Sequence, residues 1–235
     1  MISVEGLQKK FGKNSVLKGI DLHIEKPGIY AILGPNGSGK TTVIKSILGM
    51  VLPSGGQIEV LGQNISKKWK YRREINYLPQ IANFPGNLKV GELFNMIKDL
   101  RRMPSEEEQL IDLFGLQPFL KSKLANLSGG TKQKVNIVIT LMFNGQILVL
   151  DEPTTGLDPA ALMVLKRIIK EEKAKGKVIL ITTHIMEFVE EMADEIVYLL
   201  EGKIYFQGTI EELTERTKQT DFQHAIAEIS TTQHA

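Results

Sequence analysis

Gly34-Pro35-Asn36-Gly37-Ser38-Gly39-Lys40-Thr41 decides the reading of this chain. The stretch fits the spacing G-x-x-x-x-G-K-[ST] and falls between two recognisable elements. Before it, Gly28 to Leu33 is an apolar run without helical period, which predicts a buried strand. After it, Val43, Ile44, Ile47 and Leu48 mark one face of a helix, and Gly49 is placed to stop it. Strand, glycine loop and helix make the first half of a βαβ unit. Glycines let successive backbone N–H groups turn toward a phosphate, and the helix start adds its dipole. Lys40 then reaches the β- and γ-phosphates of a nucleoside triphosphate, and the Thr41 hydroxyl ligates Mg²⁺. A merely flexible glycine turn is the competing reading, and the flanking strand and helix disfavour it.

A second strand carries the complementary chemistry. Ile147-Leu148-Val149-Leu150 is followed directly by Asp151 and Glu152. Burial explains the aliphatic residues but not two carboxylates at the C-terminal end, where open α/β sheets place their ligands. Asp151 suits the Mg²⁺ shell, and Glu152, one residue further out, suits the orientation and activation of an attacking water. Two solvated acids opening a loop is the plainer alternative, and it loses ground beside the phosphate loop.

Leu127-Ser128-Gly129-Gly130 precedes another apolar helix, expected over Lys132 to Phe143, and so offers a second glycine-rich helix start suited to an anion. Either Ser128 is a structural N-cap, or this loop serves the nucleotide of a neighbouring molecule. The second option predicts a head-to-tail pair, each ATP lying between the phosphate loop of one subunit and the serine-glycine loop of the other.

The rest of the chain alternates strands and helices around a more helical middle. Strands are expected at Ile2 to Val4, Val16 to Ile24 and Val178 to Thr182, helices at Ala160 to Lys175 and Met186 to Met192, and a hairpin turn at Glu201-Gly202. Residues 85–146 read as an inserted helical subdomain in which Ser105 and Glu108 form a capping box, between α/β portions at 1–84 and 147–210. The C-terminal part, 211–235, reads as a helix and tail, loosely ordered from about Thr217.

Composition removes several function classes. Over 235 residues the chain has 29 Lys and Arg against 27 Asp and Glu, no cysteine and four histidines. Thiol catalysis, disulfides and thiolate metal sites are excluded, and the histidines are not at ligand spacing. A net charge of +2 argues against a dedicated nucleic-acid binder. The best case for one, Lys67-Lys68-Trp69-Lys70-Tyr71-Arg72-Arg73, is explained more simply as a solvated helix face. Val135 to Leu150 is too short for a bilayer and carries Asn136, Asn144, Gly145 and Gln146. The N-terminus lacks the pattern of a secretory signal, so the expected location is the cytoplasm.

Taken together, these motifs resemble the nucleotide-binding subunits of ATP-binding-cassette transporters. The phosphate loop runs from Gly34 to Thr42, through Pro35, Asn36, Gly37, Ser38, Gly39, Lys40 and Thr41, and Gln80 in Tyr77-Leu78-Pro79-Gln80 matches the glutamine loop. Ser128, Gly129 and Gly130 match the family signature, Asp151 and Glu152 the second Walker motif, Gly156-Leu157-Asp158-Pro159 the D-loop, and His184 the switch histidine. Phe11 matches the aromatic that stacks on adenine, and Val16 is grouped with it as a nucleotide contact. Two departures stand out: Thr131 follows the signature glycines where Gln is usual, and Phe11 is more often Tyr. Several residues have plainer readings: Phe11 as a core residue, Gln80 as a loop residue, Asp158 as an N-cap with Pro159 at N1, and His184 as a structural histidine.

The resemblance implies an α/β P-loop NTPase (RecA-like) core with an antiparallel β subdomain and an inserted helical subdomain. It implies an ATPase using ATP and Mg²⁺, with Lys40, Gln80, Glu152 and His184 catalytic and Thr41, Gln80 and Asp151 at the metal. It further implies a homodimer and a separate membrane-spanning subunit, received around Ile81 to Phe94, where Phe84, Leu88 and Val90 supply apolar contacts. The chain is then peripheral on the cytoplasmic face of the inner membrane and has no nucleic-acid partner. The stretches Tyr71 to Leu88 and Ser128 to Lys134 resemble the cassette ATPase that serves copper-site maturation of nitrous-oxide reductase, where a periplasmic accessory protein is a further partner. A generic drug, lipid or ion exporter is the alternative, and a soluble cassette ATPase acting on nucleic acid or ribosomes is a more distant one. A chain without cysteine has no soft ligand for copper, so such a cargo is bound elsewhere.

Overall fold

The computed structural model describes residues 1–81 and 83–231. An antiparallel sheet of order β2-β1-β4-β5 is built from β1 (Ile2–Phe11), β2 (Asn14–Ile24), β4 (Gly55–Val60) and β5 (Gln63–Asn64). Strands β3 (Gly28–Leu33), β6 (Ile75–Leu78), β7 (Ile147–Asp151), β8 (Val178–Thr182), β9 (Glu195–Leu200) and β10 (Lys203–Gly208) form the other sheet, of order β10-β9-β3-β8-β7-β6. All but the edge strand β10 run parallel. Helix α1 (Lys40–Ile47) packs in the same apolar cluster as both sheets.

Alternation along the parallel strands sorts side chains between two faces. Tyr30, Ile32, Val149, Leu180 and Val197 meet α1 and the antiparallel sheet. Leu148, Leu150, Ile179 and Ile181 point the other way, toward α4 (Gly129–Leu141) and α5 (Pro159–Ala174). On α5 the buried positions Ala161, Leu165, Ile168 and Ile169 follow the helical period, and full burial of a side chain such as Leu165 contributes about 1.5–3 kcal/mol. Buried residues of α2 (Val90–Arg101) and α3 (Glu107–Leu113) join that same cluster, so the helical middle and the parallel sheet share a continuous core.

Several expectations are corrected. Strand β1 extends to Phe11 rather than ending near Val4, because register shifts after Val4 and Leu7 break the alternation that sequence reading looks for. Helix α4 begins at Gly129, not Lys132, since the Ser128 hydroxyl accepts from the Thr131 N–H at 3.2 Å and starts the helix early. The Ser105–Glu108 box is not made: α3 starts at Glu107, and the Ser105 hydroxyl donates to the Glu107 carboxylate at 2.5 Å. Trp69 of the basic stretch is exposed, but Tyr71 is buried and donates to Ile47 O at 3.1 Å, within a single 3-10 turn over Lys70–Glu74. An interleaved aromatic platform is therefore absent from that stretch.

The C-terminal region is ordered well past Thr217. Helix α7 (Ile210–Thr217) opens with a capping box in which Thr209 and Glu212 exchange hydrogen bonds. Helix α8 (Phe222–Thr231) starts where Asp221 accepts from the His224 N–H at 2.9 Å, and it buries Phe222, Ala225 and Ile229 against Tyr198, Phe206 and Leu213. Among the described residues no helix is long and apolar enough to cross a membrane.

Candidate functional site

The parallel strands deliver their C-terminal ends to one edge, where the phosphate loop leaves β3. At Gly34 the backbone has φ 140°, and a Cβ there would stand 2.0 Å from Leu199 O, so the loop packs against β9 only with glycine. Gly202 N donates to Ser38 O at 3.1 Å, fastening the loop to the β9–β10 turn. No acidic residue occupies the first turn of α1, which leaves its N–H groups and dipole to an anion. The Ser38 hydroxyl is buried and finds no partner among the described residues, a donor that the loop itself does not use.

Lys40 folds over this loop, its ammonium donating to Gly34 O at 2.7 Å and Pro35 O at 3.1 Å. Burial lowers its pKa, while the carboxylates of Glu152 and Asp151 act in the opposite sense. A cleft of about 310 Å³ gathers Asn14, Val16, Asn36, Gly37, Gly39, Lys40, Thr41, Thr42, Gln80, Asp151, Glu152 and Thr182. Larger hollows lie elsewhere, of about 680 Å³ beside Trp69 and about 590 Å³ beside Ser128, but neither combines a phosphate cradle with carboxylates. Chemistry, not size, selects the smaller one.

Asp151 ends β7 almost fully buried, and the Thr182 hydroxyl, facing it in the β7–β8 register, donates to its carboxylate. Glu152 adopts a left-handed backbone, φ 51°, uncommon for a residue with a side chain. Its N–H holds that turn by donating to Thr182 O at 3.0 Å and Thr182 Oγ1 at 3.2 Å. Its carboxylate meets His184 Nδ1 at 3.0 Å, while the His184 ring is otherwise exposed. Tyr77 is pushed up to about 12, first by burial and then by the Asp151 charge, so it stays a neutral neighbour.

The remaining motif residues do not line this cleft. Phe11 is half exposed at the end of β1, with Lys9 Nζ 4.8 Å from its ring centroid; it is no core residue, and its cross-strand partner Asn14 does line the cleft. Asp158 caps α5, accepting from Ala161 N at 2.8 Å, and pairs with Lys134 Nζ at 2.6 Å. Those contacts hold its carboxyl below the usual range, with the Lys134 hydrogen bond the largest cause. A Cβ at Gly130 would stand 2.7 Å from Gly156 O, so the serine-glycine loop sits close against the segment that leads to Asp158. Ser128 borders the separate 590 Å³ hollow.

Sequence reading missed Thr182, Asn14 and Lys134. Thr182 carried a signal: a polar residue closing an otherwise apolar strand next to the strand that ends in Asp151. Asn14 and Lys134 gave none, because their positions follow from a hairpin turn and from contact between two helix starts.

A phosphate-cradling loop between strand and helix, with paired acids on a parallel strand of the same sheet, defines a P-loop nucleotide hydrolase. The family model described as ABC transporter matches residues 17–155, and the chain belongs to that family. It is 34% identical to the lantibiotic transport ATP-binding protein SrtF of Streptococcus pyogenes, over 88% of this chain and 90% of that one. With the L-cystine import ATP-binding protein TcyC of Bacillus subtilis (strain 168) it shares 32% identity over 97% of this chain and 98% of that one. A solved structure of an ATP-binding subunit of an ABC transporter superposes with a TM-score of 0.90 at 29% identity, covering 98% and 99% of the two chains. The protein is an ATP-binding subunit of an ABC transporter, an ATPase that partners with transmembrane subunits.

Proposed function

We propose that two copies of this chain close head to tail on two ATP molecules and, by hydrolysing them, drive a separate membrane subunit. The observation that carries the reading is the convergence of Lys40, Thr41, Gln80, Asp151 and Glu152 on one cleft, while Ser128 borders another hollow of the same chain. Loop N–H groups from Gly34 to Thr42 receive the phosphates, and Lys40 exchanges its carbonyl partners for β- and γ-oxygens. Glu152 orients the attacking water and takes its proton. With Nδ1 engaged by Glu152, His184 turns Nε2 to the γ-phosphate. Phe11 at the rim offers a face for adenine beside Val16, and Ser128, Gly129, Gly130 and Asp158 close on the nucleotide bound by the other copy.

The oxygen donors Thr41, Gln80 and Asp151 meet in the cleft and fit Mg²⁺, a hard cation held by few protein ligands plus phosphates. When bound, Mg²⁺ neutralises charge on the β- and γ-phosphates. Thr182 keeps the Asp151 carboxylate aimed, as a positioning residue.

Within the docking stretch, Val90 and Phe94 are buried in the helical core, so the partner meets Ile81, Asn83 and the partly exposed edges of Phe84 and Leu88. Ala82 lies outside the described residues. Such a chain sits on the cytoplasmic face of the cell membrane. The resemblance of Tyr71 to Leu88 and Ser128 to Lys134 supports a finer assignment, to copper-site maturation of nitrous-oxide reductase with a periplasmic accessory protein. Deleting the gene tests that assignment: an enzyme fully loaded with copper in the deletion strain refutes it.

The test of the hydrolytic reading is Glu152→Gln. ATP binding is expected to persist while turnover falls by about 10²–10³-fold. Undiminished hydrolysis refutes the role given to Glu152.

A further inference from the structure

The hollow of about 680 Å³ beside Trp69 is chemically unlike the nucleotide cleft. Cationic Lys67, Lys68 and Arg72 line it together with apolar Val51, Leu52 and Ile58, and its lining contains no Asp or Glu. Lys67, Lys68, Lys70, Arg72 and Arg73 are all exposed, and the sequence places no acid between Val60 and Arg73. Among the described residues none of these five cations forms an ion pair. Arg72 spends one N–H group on Gly49 O at 2.8 Å, which fixes its guanidinium beside the end of α1 and leaves other donors free for an anion.

Large apolar side chains stand out of the same surface. Leu52 is 74% exposed and Trp69 58%, and Met50, between the lining residues Gly49 and Val51, is exposed as well. Burial thus leaves an unpaired positive cluster and an apolar group side by side. Helix α1 begins in the nucleotide cleft and runs eight residues, about 12 Å, before its far end meets this hollow at Ser46 and Gly49. A second copy closing on the cleft meets the near end of α1 and leaves this surface open.

We propose that this surface binds anionic phospholipid, the headgroup phosphate lying on Lys67, Lys68 and Arg72 and the side chains of Trp69, Leu52 and Met50 entering the interfacial layer. Lys and Arg are drawn to an anionic leaflet, and a tryptophan ring settles at headgroup level, its apolar body inward and its N–H in the wet layer. Free phosphate gives Leu52 and Trp69 nothing to cover them. A nucleic-acid strand wants successive stacking rings, and Tyr71, the other aromatic of the stretch, is buried. The inference rests on the position at the membrane proposed above and says which surface of the chain meets the bilayer.

The test mixes the full chain with vesicles of phosphatidylcholine alone, or of phosphatidylcholine with an equal part of phosphatidylglycerol. Trp69 is the only tryptophan of the chain, so its emission reports this surface alone. That emission is expected to move to shorter wavelength with the anionic vesicles and not with the neutral ones, and to be quenched by lipid brominated near the headgroup. The double variant K67E/K68E should bind anionic vesicles at least about tenfold more weakly, with ATP binding unchanged. Unchanged emission at saturating anionic lipid, equal binding to neutral vesicles, or undiminished binding by K67E/K68E overturns the proposal. So does a short RNA or a polyglutamate peptide that shifts Trp69 emission at lower concentration than the vesicles, which would assign the surface to that class of partner. No membrane subunit is present in the assay, so its failure leaves the docking around Phe84 standing. Release of the subunit by Phe84→Glu, in turn, leaves vesicle binding unchanged.

Discussion

Thr182→Val removes one oxygen from the floor of the nucleotide cleft and changes little else. Valine keeps the β-branched shape that suits the central strand β8, so strand propensity and packing volume are preserved. The hydroxyl makes two contacts, donating to the Asp151 carboxylate and accepting from the Glu152 N–H at 3.2 Å. Losing the second is mild, because the Glu152 N–H also donates to Thr182 O at 3.0 Å. Losing the first leaves a carboxylate oxygen of Asp151, a residue 5% exposed, facing a methyl group. A hydrogen bond to a charged group contributes about 1.5–3 kcal/mol, and that is the expected destabilisation. In a chain of 235 residues it lowers Tm by roughly 3–12 °C. Urea titration of the variant should move the midpoint with no change in slope, and ATP turnover should fall because Asp151 is no longer aimed. Thr182→Ser restores the hydroxyl and should recover most of both losses. A valine variant within about 0.5 kcal/mol of the parent, or a serine variant as damaged as valine, refutes the reasoning.

Two further perturbations probe the rest of the molecule. Phe222→Ala should cost about 3–5 kcal/mol in urea unfolding, because α8 buries that ring in a closed apolar cluster; a loss under about 0.5 kcal/mol would mean that α8 contributes no core. At Glu172 burial raises the carboxyl pKa, but hydrogen bonds from Lys175 and Lys177 outweigh it and hold the group below its ordinary 4.5. A depressed carboxyl pKa stabilises the fold above the unfolded value, and that contribution is lost as pH falls through the folded one. Glu172→Gln should therefore cost about 3–5 kcal/mol near neutral pH, because the buried Lys177 ammonium loses its carboxylate partner, and the gap to the parent should narrow as pH falls below 4.5. A gap that stays constant down to pH 3 would contradict it.

How far the sequence carried depends on how local each feature is. The phosphate loop was legible because its spacing, the strand before it and the helix after it lie within twenty-odd residues and each demands particular side chains. Asp151 and Glu152 were legible as carboxylates that strand burial could not explain. By contrast, bulges in β1 hid its length, since each register shift inverts the alternation of apolar positions. In α8 the apolar positions Phe222, Ala225, Ile226 and Ile229 follow the helical period, but they stand between polar stretches, Thr217 to Asp221 and Ser230 to His234, and the start signal is a single aspartate, Asp221. Ser105 looked like a cap but spends its hydroxyl on Glu107, a choice made by the Lys98–Glu107 pair across two helices. Lys134 and Asp158 meet only because α4 and α5 start side by side, 24 positions apart in the chain, and no local pattern encodes that.

Closure of two copies on ATP is the central claim, and the mass of the Glu152→Gln variant in solution tests it most directly. Sedimentation with Mg-ATP should give twice the 26.2 kDa of one chain, and without nucleotide a single chain. Adding Ser128→Arg to the same variant should return it to a single chain while ATP still binds, because the charge enters the face that receives the other copy's phosphates. A species of 26.2 kDa with saturating Mg-ATP, or a dimer indifferent to Ser128→Arg, would contradict the account.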